Sequence, residues 1–151
     1  YKECAQLLSE VGENSELGAV YNSIGLIYKE RGDFHEALSY FEKSIKIQES
    51  IQDLAGLAAS YNNIGLIYDA KNDYEKALDY YSRDIKITEK LGDKRGLATS
   101  YNNIAILHYN NKNYARALWY LEKASGLYEE LKEPDMAKMV QDRIQHVRKK
   151  L

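Results

Sequence analysis

The chain repeats itself at a fixed spacing of 40 residues. The segment at residues 61–68 reads YNNIGLIY, and it has the counterparts YNSIGLIY at 21–28 and YNNIAILH at 101–108. A constant period of about 20–50 residues is typical of solenoids, in which each repeat is one supersecondary unit that packs only against its neighbours. The sequence therefore predicts a stack of equivalent units rather than a domain with one central core.

Each repeat contains two stretches in which apolar residues follow helical spacing. In the second repeat, Leu57, Tyr61 and Ile64 are separated by four and three residues, and a similar spacing returns after Asp73. Polar turns that end in Asp or Asn lie between the stretches, and these residues suit the N-cap of the helix that follows. The expected helix pairs are 17–30 with 34–50, 57–70 with 74–91, and 97–110 with 114–131.

The two ends of the chain depart from the repeat. Tyr1 is in the register of Phe41 and Tyr81, so the chain opens inside a repeat, and we expect it to be a piece of a longer protein. After Pro134 we expect a closing helix with a polar outer face, which the end of a solenoid needs for solubility. The expected units are 1–16 (the second helix of a leading repeat), the repeats 17–56, 57–96 and 97–134, and the capping helix 135–151.

Charge and composition disfavour several classes of partner. The 151 residues include 21 Lys and Arg against 23 Asp and Glu, and this net charge of −2 gives no electrostatic footprint for nucleic acid or an anionic membrane. No apolar run approaches the roughly 18 residues that cross a bilayer. Cys4 is the single cysteine, so an internal disulfide is excluded. The compartment stays open, with the cytoplasm favoured.

These residues resemble the tetratricopeptide repeat (TPR) family, in a form with a long, 40-residue repeat. The family pattern has an aromatic residue, an aliphatic–small pair and Tyr in the first helix, followed by Ala, an aromatic residue and Ala in the second. The matching residues are Tyr21, Ile24, Gly25, Tyr28, Ala37, Phe41 and Ser44; Tyr61, Ile64, Gly65, Tyr68, Ala77, Tyr81 and Asp84; and Tyr101, Ile104, Ala105, His108, Ala117, Leu121 and Ala124. The resemblance covers nearly the whole chain and implies an all-α, right-handed α-solenoid of antiparallel helix pairs.

Small residues recur where the two helices of a repeat are expected to cross. A larger side chain there would overpack the crossing at a cost of roughly 1–3 kcal/mol. The residues expected to face each other are Gly25 and Ala37, Gly65 and Ala77, and Ala105 and Ala117.

The resemblance also implies a binding surface. First helices of TPR proteins line a concave groove, and the positions one, five and eight residues after the aromatic residue should face it. The candidate peptide-binding residues are Asn22, Leu26 and Lys29; Asn62, Leu66 and Asp69; and Asn102, Ile106 and Tyr109, with Asn63 and Asn103 as weaker candidates.

The recurring Asn has two interpretations. Asn is a mediocre helix former, but its amide can donate and accept together, which suits an extended peptide backbone. In relatives, an Asn at this place commonly binds ligand backbone. The alternative is a ladder of interhelical hydrogen bonds within the scaffold. Basic residues that hold a ligand carboxylate in some relatives are replaced here by Ala19, Ala59 and Thr99, so no carboxylate clamp is expected.

Other conspicuous residues also have structural interpretations. Trp119 should lie on the outer face, either as an anchor for a second partner or as a packed or tolerated apolar residue. His35, His108 and His146 show no metal-ligand spacing, so solvated or packing roles are favoured and no metal site is expected. Cys4 occupies the register of small core residues and should be buried.

The sequence has no catalytic signature. It lacks a phosphate-binding glycine loop, a zinc-binding HExxH helix and a nucleophile motif, so we expect neither enzymatic activity nor a cofactor. The expected role is a protein- or peptide-binding module of a larger signalling or scaffold protein. The alternative is a structural spacer or oligomerisation module without a groove ligand. Whichever role applies, Leu7, Leu8 and Val11 should be only partly covered, which favours weak self-association through the open ends.

Overall fold

The computed structural model describes residues 1–4, 6 and 14–151 of the chain. Within 14–151 it consists of seven α-helices joined by short loops. They are α1 (Asn14–Arg31), α2 (Phe34–Ser50), α3 (Leu54–Ala70), α4 (Tyr74–Leu91), α5 (Lys94–Asn110), α6 (Tyr114–Glu130) and α7 (Pro134–Arg148). The predicted all-α architecture of helix pairs is confirmed.

The first helix of each repeat begins three residues earlier than the sequence pattern predicted. The cause is visible at α3 and α5, where an Asp caps the helix. Asp53 Oδ1 accepts a hydrogen bond from the Gly56 backbone N–H at 3.0 Å, and Asp93 Oδ1 accepts from Gly96 at 2.9 Å. Asp33 holds the N-cap position of α2 but makes no such side-chain bond.

The loops reverse the chain through one residue with positive φ in each case. The two-residue loops use Gly32 and Gly92, at φ 80° and 65°. Glycine adopts this left-handed conformation without a steric penalty, and it ends the preceding helix. In the three-residue loops the position is held by non-glycine residues, namely Gln52, Asn72, Lys112 and Lys132.

The helices are arranged in two layers. The first helices pack directly on one another, α1 on α3 and α3 on α5, and no comparable packing joins successive second helices in the described chain. Each second helix instead packs between the first helix of its own repeat and the first helix of the next. This arrangement places α1, α3, α5 and α7 on the inner, concave side and α2, α4 and α6 on the outer side.

The second helices carry the buried face of each repeat at helical spacing. The buried positions are Ala37, Phe41, Ser44 and Gln48 in α2; Ala77, Tyr81, Asp84 and Thr88 in α4; and Ala117, Leu121, Ala124, Ser125 and Tyr128 in α6. The cores continue from one repeat to the next, because Phe41 packs with Ile64 and Ile67 of the following first helix. The solenoid therefore has a continuous core and no separate domains within α1–α7.

The glycine of the first helix faces an aromatic ring, which corrects the expectation that it faces an alanine. A Cβ placed on Gly25 would lie 2.8 Å from Cε1 of Phe41, and one placed on Gly65 would lie 2.6 Å from Cε1 of Tyr81. The ring lies one helical turn beyond the expected Ala, so it fills the crossing and leaves no room for a methyl group.

His108 takes the place of a tyrosine in an aromatic stack. Tyr28 stacks on Tyr40 with ring centroids 5.6 Å apart, and the equivalent His108 stacks on Tyr120 at 5.4 Å. His108 is also hydrogen bonded through Nδ1 to the Tyr74 hydroxyl at 2.8 Å, and burial lowers the pKa of its imidazole. A packing role for His108 is thus evident.

Two further expectations concern the first residues of the chain. Cys4 is exposed, not buried as expected. Its counterpart Ser44 in the following repeat is buried and donates a hydrogen bond to the Gly18 carbonyl oxygen of α1. Leu7, Leu8 and Val11, whose partial burial was predicted, lie outside the described residues.

Trp119 lies on the outer layer, as its register predicts, and is 50% exposed. Its ring packs edge-on against Tyr120 at 4.8 Å between centroids, and Lys123 Nζ lies 5.3 Å from the Trp119 ring centroid. Among the described helices, none combines the length and apolarity needed to cross a membrane.

Candidate functional site

The eleven predicted groove residues all lie on the inner layer of first helices and are partly exposed. Asn22, Leu26 and Lys29 lie on α1, their counterparts from Asn62 to Asp69 on α3, and those from Asn102 to Tyr109 on α5. We refer to the surface formed by these residues as the concave groove. Each repeat contributes an amide, an aliphatic side chain and a third, variable side chain.

The amide oxygens of the groove form an interhelical ladder. Asn103 Nδ2 donates to Asn62 Oδ1 at 2.9 Å, which joins α5 to α3. Arg143 of α7 is in the register of Asn103, and its Nη1 donates to Asn102 Oδ1 at 2.6 Å. The scaffold interpretation of the recurring Asn thus applies to these two oxygens.

The ladder is incomplete at α1. Asn22 Oδ1 is buried and has no hydrogen-bond partner in the described part of the chain. Asn63, which would be its donor by analogy, instead accepts a hydrogen bond from Lys29 Nζ at 3.0 Å. Burial lowers the pKa of the Lys29 ammonium. The α1 end of the groove therefore differs from the rest in both pairing and charge.

Two amide NH2 groups of the groove, those of Asn62 and Asn102, remain available. Nδ2 of Asn62 and Nδ2 of Asn102 donate to no protein group within the described residues, although the oxygen of each amide is engaged. An amide whose oxygen is fixed by a neighbour has a fixed orientation, so its two N–H donors are also fixed in direction. Contact between these groups and a ligand backbone stays a prediction.

The third groove position of each repeat bonds to the next first helix. Asp69 accepts from the Asn110 side chain, but burial dominates and raises the pKa of its carboxyl. Tyr109 is hydrogen bonded through its hydroxyl to His146 Nε2 at 2.9 Å. The charge of the side chain at this third position changes along the groove, from cationic Lys29 through acidic Asp69 to uncharged Tyr109.

The last helix, expected to be a cap with a polar outer face, also contributes residues to the groove. Arg143 and His146 of α7 line a cleft of about 480 Å³ together with Ile106 and Tyr109 of α5. Its lining is completed by Ala105, Leu121, Asp142 and Val147. We refer to it as the Tyr109 cleft. Extending the 40-residue register to Arg143 would have indicated this placement.

A second cleft, of about 350 Å³, lies between α3, α4 and α5. It is bounded by Asn62 of the groove, the small residues Ala55, Ala58, Ala59 and Gly96, the carboxylates of Asp84 and Asp93, and Thr88, Leu91, Arg95, Thr99 and Ser100. We refer to it as the Asp84 cleft. Ala59 and Thr99 are positions at which a carboxylate clamp would carry basic residues.

Neither cleft is arranged for metal chemistry in the residues that the structure describes. No group of three or more His, Cys, Asp or Glu side chains lies close enough together there to hold a metal ion. The chemical character of the inner surface is that of hydrogen-bond donors, aliphatic side chains and a few isolated charges. Such a surface can bind a polar backbone and bury single side chains.

A profile of the tetratricopeptide repeat matches residues 16–90 and, in an overlapping window, residues 56–130. These windows cover most of the sequence, and the chain belongs to the tetratricopeptide repeat family. Repeats of this family generally mediate protein–protein interaction and scaffolding. A comparison with curated protein sequences finds no significant match.

Solved structures confirm the solenoid fold. A putative kinesin light chain from P. anserina with nearly identical TPR-like repeats is 17% identical, with a TM-score of 0.74 over 91% of this chain and 67% of that one. BtubC (BKLC) from P. vanneervenii is 20% identical, with a TM-score of 0.69 over 89% of this chain and 64% of BtubC. The N-terminal domain of stress-induced protein-1 from C. elegans is 14% identical, with a TM-score of 0.67 over 85% of this chain and 95% of that domain. At these identities the likeness concerns the fold alone.

Proposed function

We propose that the chain is a non-enzymatic scaffold module that binds an extended segment of a partner protein in its concave groove. The observation that carries this proposal is the Tyr109 cleft, which joins Ile106 and Tyr109 to Arg143 and His146 on the inner layer. An open cleft with an apolar floor and a few polar groups at its edge is a common form of ligand site.

The amide donors support an extended backbone as the ligand. Asn62 and Asn102 are 40 residues apart in sequence and one repeat apart in the stack, and the NH2 group of each has no partner among the described residues. A β-like backbone offers carbonyl oxygens at regular intervals along one side, so fixed donors at regular intervals match it. A role within a larger signalling or scaffold protein is part of this proposal.

A peptide-library selection with purified protein, followed by titration of the selected peptide, tests the proposal. Ile106→Lys places a charge in the Tyr109 cleft and should weaken binding about tenfold or more, as expected for a central contact. Trp119→Ser is the matched control, because Trp119 lies on the outer layer and should not affect affinity. Equal affinity of wild type and Ile106→Lys would contradict the proposal.

The alternative is a spacer or oligomerisation module. It predicts that no library peptide binds to the inner surface, and that the molar mass measured by light scattering rises with protein concentration. The two functions are therefore distinguished by the same pair of measurements on one preparation.

A further inference from the structure

Asp84 is a carboxylate in a position that is neutral in the other repeats. It is 2% exposed, and its register is held by Ser44 in the preceding repeat and Ala124 in the following one. Its Oδ2 accepts a hydrogen bond from Ser100 Oγ on α5. A charged group this deeply buried requires a reason, because its desolvation is costly unless a counter-charge compensates it.

Among the described residues, Asp84 is not paired with a cation, although Arg95 lines the same cleft. Within the described residues, Oδ1 of Asp84 has neither a hydrogen-bond donor nor an ion-pair partner. The nearby Thr88 hydroxyl is engaged elsewhere, since it donates to the backbone oxygens of Asp84 and Ile85 at 3.1 and 3.0 Å. Arg95 lines the cleft, but its Nε pairs with Glu133 Oε1 at 3.0 Å.

The charge that acts on the Asp84 carboxyl from within the cleft is the negative charge of Asp93. Asp93, the N-cap residue of α5, also lines the cleft, and α3 contributes only alanines and Asn62 to it. The cleft thus combines a buried carboxylate with an apolar wall of Ala55, Ala58 and Ala59. This chemistry is opposite to that of a carboxylate clamp.

We propose that the Asp84 cleft binds an alkylammonium or guanidinium group, with Asp84 as its anionic partner and the three alanines in contact with its aliphatic stem. The volume of about 350 Å³ accommodates such a group. Asn62 lines both the cleft and the groove, so a Lys or Arg side chain of a groove-bound segment is one source of the cation. If the cation is a Lys or Arg of a groove-bound segment, the inference rests on the proposed function. A free amine is the other source and does not depend on it.

The first experiment uses n-butylammonium as the probe and follows the side-chain carboxyl resonance of Asp84 by NMR at pH 7.5. A saturable shift is expected for the wild type and for Asp79→Asn, a control on the exposed face of α4 where Asp79 pairs with Arg83. Asp84→Asn should abolish binding, as reported by the backbone amide of Ser100. No saturable shift in the wild type, or equal binding by Asp84→Asn, would overturn the inference.

A second variant and a second pH distinguish a loss of amine binding from a loss of folding. Ala59→Leu fills the cleft from an exposed position without changing the carboxylate, and it should also abolish binding of the amine. Because burial raises the pKa of Asp84 to about 6, lowering the pH to 5 leaves about a tenth of the carboxylate ionised and should weaken binding about tenfold. Binding that is unchanged at pH 5 would contradict Asp84 as the anionic partner.

A peptide arm identifies the source of the cation. For a library-selected peptide that contains Lys, replacing that Lys with norleucine should weaken the affinity for the wild-type protein. The Asp84→Asn protein should bind the Lys peptide and the norleucine peptide with equal affinity. If norleucine is neutral while butylammonium still binds, the cleft takes a free amine and the inference holds. If the selection yields no groove peptide, the proposed function fails, and the amine titration alone decides whether the cleft binds a cation.

Discussion

Gly65 lies directly beneath the ring of Tyr81, so that a Cβ on Gly65 would lie 2.6 Å from Cε1 and 2.7 Å from Cδ1 of the ring. Phe41 covers Gly25 in the same way one repeat earlier. The third repeat carries Ala105 with the smaller Leu121 at the matching positions. The small residue of the first helix and the large residue of the second therefore act as a size-matched pair.

This pairing predicts that Gly65→Ala destabilises the protein. A rigid ring in a buried crossing cannot give way cheaply, and overpacking of this kind costs about 1–3 kcal/mol, against a gain of about 1 kcal/mol in helix propensity. Urea denaturation should show a net loss for Gly65→Ala and a recovery in Gly65→Ala/Tyr81→Leu, which reproduces the pair of the third repeat. Gly126→Ala is the control: nothing lies within 4 Å of its Cβ position, so stability should rise. A gain for Gly65→Ala equal to that for Gly126→Ala would refute the pairing.

Tyr81→Phe should stabilise the protein. The Tyr81 side chain is fully buried, and its hydroxyl has no hydrogen-bond partner in the described chain. Burial raises the pKa of this hydroxyl, so it stays protonated throughout the neutral range. An unsatisfied buried polar group costs about 1–3 kcal/mol, and removing it should raise the free energy of unfolding by an amount up to that size. A loss of stability in chemical denaturation would indicate a partner such as a buried water.

Asn102→Ala and Asn22→Ala should have opposite effects on stability. Asn102 Oδ1 accepts from the Arg143 guanidinium, and hydrogen bonds to charged groups contribute about 1.5–3 kcal/mol. After the gain of up to about 0.7 kcal/mol in helix propensity, we expect a net loss of about 1–2 kcal/mol. Asn22 Oδ1 has no partner in the described residues, so Asn22→Ala should preserve or raise the melting temperature. Equal effects of the two substitutions would mean that the ladder does not support the fold.

Asp84 should make stability depend on pH. Burial, and secondarily the nearby Asp93 charge, raises the pKa of the Asp84 carboxyl from 3.8 to about 6, and the hydrogen bond from Ser100 only partly offsets this rise. The folded state therefore holds the proton more tightly than the unfolded state. The resulting stabilisation is fully present below about pH 4 and is lost as the pH rises through about 6.

Asp84→Asn tests this pH dependence, because Asn imitates the protonated carboxyl. The variant should be more stable than the wild type by about 2–3 kcal/mol at pH 7.5, and the difference should shrink as the pH falls towards 4. Asp79→Asn should show no comparable trend. Thermal melts at several pH values measure this difference in stability between Asp84→Asn and wild type. If the difference does not change with pH, the titrating group is not Asp84.

The repeat phase was readable from the sequence because the residues that pack, such as Gly65 and Tyr81, recur at a constant spacing. The hydrogen-bond partners of the side chains were harder to predict. The bond from Asn103 to Asn62 joins residues 41 positions apart, and its existence depends on how closely α3 and α5 approach. Arg143 lies in the helix that was expected to cap the stack with a polar outer face, whereas the stack orients its guanidinium towards Asn102.

The environments of residues that depart from the repeat were the hardest to predict from the sequence. Asp84 stands at a position where the family pattern has Ala. Only the helices that enclose it show that its carboxylate is buried beside a cleft. Cys4 illustrates the reverse error: its register predicted burial, whereas the structure leaves its side chain exposed.

The NH2 resonances of Asn62 and Asn102 provide the most direct test of peptide binding in the groove. Both groups are unpaired within the described chain, and both are visible in a heteronuclear correlation spectrum of labelled protein. Titration with a library-selected peptide should shift the two NH2 signals saturably and slow their exchange with solvent, at the same dissociation constant as the bulk binding curve. Unchanged NH2 signals, with the shifts confined to α2, α4 and α6, would contradict binding in the concave groove.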